Sequence, residues 1–299
     1  VEGSIDLNGT WSQIGQEISG FDSIKAVISS NGKVIALDHP NYKESGKSKG
    51  RAAVYEYNSS NNTWIQLGDD FIGNISFTDH ESYLGYGISL SSDGYTIALG
   101  RPARGGEVDI KQWNGSSWIN KGSNQPNNIS SNNYSFNMGV DVALTPDGNY
   151  LCTCMKNSNY VRVYNYANNS WGSFKEVGLS RPEKVRISSD GNIIAAFSYA
   201  TSSRGEVKVW KRDSTDSNFY NIGHFQGSNN SDYLGEGLAL SADGYTLAIA
   251  DPGNGDGRVR VFTYNTGTSW DQKGQTLNGN STLKYFGRGL SISADGSIL

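Results

Sequence analysis

One tetrapeptide recurs six times along this 299-residue chain: Ser29-Ser30-Asn31-Gly32, Ser91-Ser92-Asp93-Gly94, Thr145-Pro146-Asp147-Gly148, Ser188-Ser189-Asp190-Gly191, Ser241-Ala242-Asp243-Gly244 and Ser293-Ala294-Asp295-Gly296. The six Asn/Asp positions are 62, 54, 43, 53 and 52 residues apart. That period belongs to propeller blades and other solenoids, in which each unit buries its faces against its neighbours. Asn-Gly or Asp-Gly between alternating apolar residues is a hairpin signal, because both residues tolerate positive φ. Each copy therefore reads as two strands, A before the turn and B after it, as in Gly237-Leu238-Ala239-Leu240 and Tyr245-Thr246-Leu247-Ala248-Ile249-Ala250.

A third run, strand C, follows at period two, as in Val161-Arg162-Val163-Tyr164 and Val259-Arg260-Val261-Phe262. A polar turn then leads to an aromatic, Trp64, Trp118, Trp171, Phe219 or Trp270, on strand D. An aromatic at one position in most blades is demanded by packing between neighbouring sheets, more than by stacking on sugar rings. Residues 4–11 read as strands C and D, and residues 286–299 as A and B. Paired, they complete one blade and close the ring, removing exposed sheet edges.

The expected fold is an all-β, six-bladed β-propeller of four-stranded antiparallel blades, a single domain over residues 1–299. Its blades fall near 21–68, 83–122, 136–178, 183–223, 233–274, and 284–299 with 1–15. Because strand B is short at Leu299, a longer natural chain with a seventh blade stays open. The 37 glycines suit so many turns. A net charge of −4 argues against nucleic acid as a partner, and no apolar run is long enough for direct membrane insertion as a helix. Cys152 and Cys154, two apart on strand B, share a face and stand where other copies carry Ala or Gly, so they read as small packing residues.

The copies resemble the FG-GAP repeat of integrin-α-type propellers. Phe286-Gly287 gives the Phe-Gly, with Tyr83-Leu84-Gly85, Tyr233-Leu234-Gly235 and Met138-Gly139 as degenerate versions. Gly100-Arg101-Pro102 and Ala250-Asp251-Pro252 stand near the Gly-Ala-Pro position. The resemblance implies a propeller of the adhesion type, and its calcium loops are shortened here: each turn offers a single carboxylate, too few for six to eight oxygen ligands. Asp251, Asn254 and Asp256 leave a weak cation site open, and otherwise no cofactor or metal is expected. The Trp-Asp dipeptide of WD40 propellers is absent.

Strands A begin on the rim that also carries the D–A and B–C loops. The irregular segments His39–Arg51, Asp69–Ser82, Asn120–Ser135 and Gly223–Asp232 lie there, so ligand recognition is expected on that rim. Seven residues before each turn Asn/Asp stand Ile24, Tyr86, Val140, Glu183, Glu236 and Arg288, with Arg101, Arg104, Arg181 and Arg204 on nearby loops. The candidate ligand-binding set is Tyr86, Arg101, Arg104, Glu183, Arg204, Glu236 and Arg288, set against a reading as solvated rim charges.

His39, His80 and His224 fall in different blades, and no nucleophile elbow, metalloprotease helix or phosphate loop appears. No catalytic residue is assigned on that basis. Asn8, Asn58, Asn61, Asn74, Asn114, Asn128, Asn133, Asn168, Asn229 and Asn280 begin Asn-x-Ser/Thr sequons. They lean the location outside a cell or onto a virion surface. The leading expectation is a non-enzymatic extracellular module binding a protein or glycan on a surface. The alternatives are a structural component of an extracellular assembly or virus particle, and a carboxylate-dependent hydrolase or lyase acting through Glu183 and Glu236.

Overall fold

The computed structural model describes residues 12–22, 25–73, 82–103, 106–123, 137–172, 175–199, 203–265, 269–280 and 285–299. The chain is a β-propeller, and among the described residues it forms five antiparallel sheets of blade type. Blade 1 runs Ala26–Ile28, Val34–His39, Arg51–Asn58 and Thr63–Gln66, as strands A to D. Blade 2 follows with Ile88–Leu90, Thr96–Arg101, Glu107–Trp113 and Trp118–Asn120. Blade 3 has Met138–Leu144, Tyr150–Met155, Tyr160–Ala167 and a D edge split into Ser170–Trp171 and Lys175–Gly178. Blade 4 has Pro182–Ile187, Ile193–Ser198, Glu206–Arg212 and Phe219–Gln226. Blade 5 has Leu238–Leu240, Thr246–Asp251, Arg258–Asn265 and Ser269–Gln272. The segment expected as a loop over His39–Arg51 carries a small ribbon, Lys43–Glu44 paired with Lys47–Ser48.

The recurrent tetrapeptide is a self-contained hydrogen-bonding unit. In blade 4 the Ser188 hydroxyl meets Asp190 Oδ1 at 2.6 Å and accepts the Ile193 N–H at 2.9 Å, while Asp190 Oδ1 accepts the Asn192 N–H. The sixth copy repeats it: Ser293 meets Asp295 at 2.6 Å and accepts the Ile298 N–H at 2.9 Å. Bonds from Ser293 and Ser297 hold Asp295 down to about 2. These carboxylates are spent on the turn that holds them.

Successive turns are also tied to one another. The backbone N–H of Ser30 reaches Ser92 O, Ser92 reaches Pro146 O, Ser189 reaches Ala242 O, and Ala242 reaches Ala294 O. Proline has no N–H, so Pro146 cannot continue the series to Ser189.

Between each pair of successive sheets lies a closed apolar layer. One holds Ala98, Met138, Leu151 and Tyr164, and another holds Ile193, Phe197, Leu234 and Leu247. The strand D tryptophans seal these layers and give their indole N–H to the blade before. Trp118 bonds Leu67 O at 2.7 Å, Trp171 bonds Lys121 O at 2.9 Å and Trp270 bonds Ile222 O at 3.0 Å. Trp64 makes the same bond to Ile14 O at 3.1 Å, so residues around Ile14 stand against blade 1 as a preceding strand D would. The pairing expected of residues 4–11 lies outside the described residues. Cys152 and Cys154 are free, buried thiols within the layer between blades 3 and 4, and burial pushes both well above the ordinary thiol value.

The Phe-Gly positions have a packing explanation. Gly235 has φ 99°, and a Cβ there would meet Val207 at 2.4 Å and Phe197 at 2.7 Å. The preceding residue is sunk into the layer, as Leu84, Met138 and Leu234 are. A buried apolar residue followed by a left-handed glycine is what the chain needs to enter strand A from the loop rim.

Candidate functional site

Strands A of the five blades, together with residues 288–292, surround one central cavity of about 900 Å³. Two of these strands carry irregular registers near their start. In blade 3 the pairing jumps from Met138↔Met155 to Val142↔Thr153, and in blade 4 from Pro182↔Ser198 to Lys184↔Phe197. Extra residues at such bulges re-aim the side chains next to them.

Asp141 lies within the first bulge and is nearly fully buried. It gathers charge from two other blades: Lys25 Nζ donates to Oδ1 at 2.7 Å, and Arg186 donates to Oδ2 at 3.1 Å. The Val185 N–H adds a bond to Oδ2 at 3.0 Å. Burial alone would raise its pKa. Lys25 and Arg186 with these hydrogen bonds overcome that and hold the carboxyl below the ordinary range.

Lys184 follows the second bulge and donates to the Glu236 backbone carbonyl. Burial, and then the Arg186 charge, push it below an ordinary lysine against the opposing pull of Asp141 and Glu236. Glu236 Oε1 accepts from Arg288 Nε at 2.8 Å. Its other oxygen, Oε2, is buried with no hydrogen-bond partner among the described residues. An orphaned buried carboxylate oxygen carries the full cost of lost solvation, and this one stands directly behind Lys184 and Arg288, which line the cavity. Tyr199 stands close by: burial raises its phenol first, and the Glu236 and Glu183 charges add to the shift. The cluster of Lys25, Lys184, Arg186 and Arg288 against Asp141 and Glu236 leaves a surplus of positive charge.

Of the sequence-derived candidates, the structure brings Glu236 and Arg288 together, and Arg288 lines the cavity. Glu183 pairs with Lys156 at 3.1 Å. Tyr86 is partly exposed on the rim. Arg101 lies apart, paired with Glu107 and with Asp109 beside a small hollow that includes Phe71 and Lys111. Arg204 is exposed. Arg104 and Ile24 lie outside the described residues, as do Asn8, Asn74, Asn128, Asn133 and His80. Counting seven residues back from each turn missed Lys25, Asp141, Lys184 and Arg186. They sit six or four residues before the turn, positions the bulges make hard to assign to a face. The available signal was charge within an otherwise apolar strand.

The open cation site at Asp251, Asn254 and Asp256 is not formed. Asp251 is fully buried and held by Arg258 at 2.6 Å and Arg260 at 2.9 Å, and two guanidinium groups repel a metal cation. Asn254 instead donates to Asp232 at 3.2 Å. Among the described residues no group of three or more His, Cys, Asp or Glu side chains lies together as metal ligands. Nor is any helix of the described residues long and apolar enough to cross a membrane.

The sequons have a local explanation too. Asn58 Oδ1 accepts the Ser60 N–H at 2.9 Å, and Asn114 Oδ1 accepts both the Ser116 N–H at 3.0 Å and the Ser117 N–H at 2.9 Å. Asn168 has φ 51°. Asn followed two residues later by Ser or Thr is thus a turn signature at these positions.

No protein-family model matches the chain, and no curated protein matches its sequence. Solved structures do match. A "putative 6-phosphogluconolactonase" from Bacteroides uniformis superposes with a TM-score of 0.59 at 12% identity, covering 84% of each chain. One of the same description from Bacteroides fragilis gives 0.55 at 11%, covering 85% of this chain and 84% of the other. The periplasmic gluconolactonase of Pseudomonas aeruginosa gives 0.54 at 17%, covering 82% and 69%. Identities this low establish the propeller fold alone.

These likenesses correct four expectations. The FG-GAP resemblance is not sustained: the solved structures that match are described as lactonases, and the Phe-Gly and Asp-Gly signatures are packing and turn requirements of the blade. The adhesion reading loses the family on which it rested. The non-enzymatic expectation is corrected with it, because the structures that match are described as lactonases. The same descriptions replace the glycoprotein reading of the sequons.

Proposed function

We propose that this chain is a hydrolase that opens lactones at the loop-rim mouth of its central cavity, with Glu236 as the general base. The observation that carries this is the unpartnered, buried Oε2 of Glu236 beside the Lys184 and Arg288 cations. Arg288 fixes one carboxylate oxygen and leaves the other free to take a proton from a water that enters beside Arg288 and Lys184, as a general base requires.

In this reading Glu236 Oε2 takes a proton from water as the water oxygen bonds to the lactone carbonyl carbon. The carbonyl electron pair moves onto its oxygen, and the cluster of Lys184, Arg186 and Arg288 stabilises that negative charge. When the tetrahedral adduct collapses, the ring C–O bond breaks and the protonated Glu236 returns its proton to the leaving alkoxide. The product is a hydroxy acid, whose carboxylate suits the surplus positive charge of the mouth. Asp141 is an unsuitable base because Lys25, Arg186 and Val185 occupy its oxygens, so it acts as the staple that positions the cations. The lactonase names of the structural neighbours support the reaction class, and the periplasmic neighbour supports a location outside the cytoplasm.

The test is proton release from a panel of sugar-acid lactones, phosphorylated and not, and of simple γ- and δ-lactones. The expected result is turnover above the spontaneous rate on at least one member. Background rates across the whole panel would overturn the proposal.

A further inference from the structure

The cavity has a second end, and its chemistry is the opposite of the first. Three residues before each turn Asn/Asp stand Ile28, Leu90, Leu144, Ile187, Leu240 and Ile292, one aliphatic side chain from every repeat. Four of them, Leu144, Ile187, Leu240 and Ile292, line the cavity. Lys25, Asp141, Lys184, Glu236 and Arg288 lie three or four positions earlier in the same repeats, and Arg186 one position earlier. A strand rises about 3.3 Å per residue, so the aliphatic collar sits roughly 10 Å from the charged mouth, toward the turn rim. Leu144 is buried in the layer between blades 2 and 3, whereas Ile187 and Leu240 pack on their layers with part of the side chain and leave the rest facing the cavity. A polar substrate would leave this collar wet, whereas an apolar group reaching it from the mouth would cover it.

We infer that the substrate is amphiphilic: a lactone whose ring lies among Lys184, Arg288 and Glu236 and whose aliphatic tail runs down the cavity onto the collar of Leu144, Ile187, Leu240 and Ile292. This names the substrate class of the proposed hydrolase and rests on that reading for the chemistry at the mouth, while the tail site stands on the collar. A compact sugar lactone fills the mouth and makes no contact with the collar, so the two classes differ in one measurable quantity, the dependence on tail length.

The experiment uses the intact protein and γ-lactones with tails from none to eight carbons, followed by proton release. In parallel, the matching γ-lactams, which resist hydrolysis, are titrated calorimetrically. The expected result is a gain of up to about fourfold per methylene in kcat/KM and in lactam affinity until the tail spans the cavity. I187N and L240N are expected to flatten that slope, and the milder I187A and L240A to lower it should the polar variants fold poorly. Tail-dependent lactam binding without lactone turnover would overturn the hydrolase reading and keep the tail site. Turnover and lactam binding that are both indifferent to tail length would overturn the tail site and leave the hydrolase reading standing. If neither turnover nor lactam binding appears, both fall.

Discussion

The two rims of this propeller are built on opposite principles. On the turn rim, six Ser/Thr-x-Asp/Asn-Gly units repeat one geometry, each closed by bonds among residues at most five apart, such as Ser188 to Asp190 and to the Ile193 N–H. On the loop rim the side chains and their partners change from blade to blade, and the bonds that matter cross the cavity, such as Lys25 of blade 1 to Asp141 of blade 3. Local, repeated bonding makes a scaffold. Long-range, unrepeated bonding makes a site, because only there can one group be left without a partner while its neighbours are held.

The largest expected break in that comparison is at Asp141. D141N removes the counter-charge shared by Lys25 and Arg186 and is expected to cost about 3–5 kcal/mol in urea unfolding, as for other buried ion pairs deprived of one member. Its sign with pH follows from the lowered value in the folded state. The unfolded carboxyl, near its ordinary value of about 3.9, takes up its proton first as pH falls. The stabilisation is therefore complete above that value and is lost as pH falls through the folded one. The acid limb of a stability–pH curve should flatten in D141N.

A smaller effect is expected at Gly100, where a Cβ would meet the Gly139 carbonyl oxygen at 2.0 Å between blades 2 and 3. G100A should destabilise by roughly 1–3 kcal/mol in the same assay, the usual cost of overpacking. On the turn rim, S188A deletes the hydroxyl that meets Asp190 and accepts the Ile193 N–H. A loss of about 1–2 kcal/mol is expected, with the lactone-opening rate changed far less than the stability. An effect of similar size belongs to the sealing tryptophans: W118F keeps an aromatic ring but loses the bond to Leu67 O and the packing of the indole's second ring. About 1–2 kcal/mol is expected, read as a lowered thermal midpoint.

Legibility in the sequence divides along the same line. The turn rim could be read because its chemistry is contained in four to six consecutive residues, and the period of those residues names the propeller. Trp64, Trp118, Trp171 and Trp270 were legible as packing for the same reason of repetition. The site was legible only in part. Glu236 and Arg288 follow from counting back to the cavity mouth, but Asp141 and Lys184 sit at bulges that break the period of two. Their partners come from blades more than forty residues away, as with Val185 on Asp141. A buried carboxylate with one satisfied oxygen cannot be told from a solvated rim charge until those blades are assembled. The same limit explains the mistaken family: Phe-Gly and Asp-Gly are demanded by the blade itself, so they carry fold information and little about lineage.

The most direct test of the account sets Glu236 against Glu183, two carboxylates at the same repeat position with different surroundings. E236Q and E183Q are compared in kcat/KM on the best lactone of the panel, with folding checked by circular dichroism. Removing a general base costs on the order of 10²–10⁴ in rate. The account predicts a loss in that range for E236Q and a change of a few-fold for E183Q, whose carboxylate is already paired with Lys156. Full activity in E236Q, or an equal loss in both variants, would contradict it.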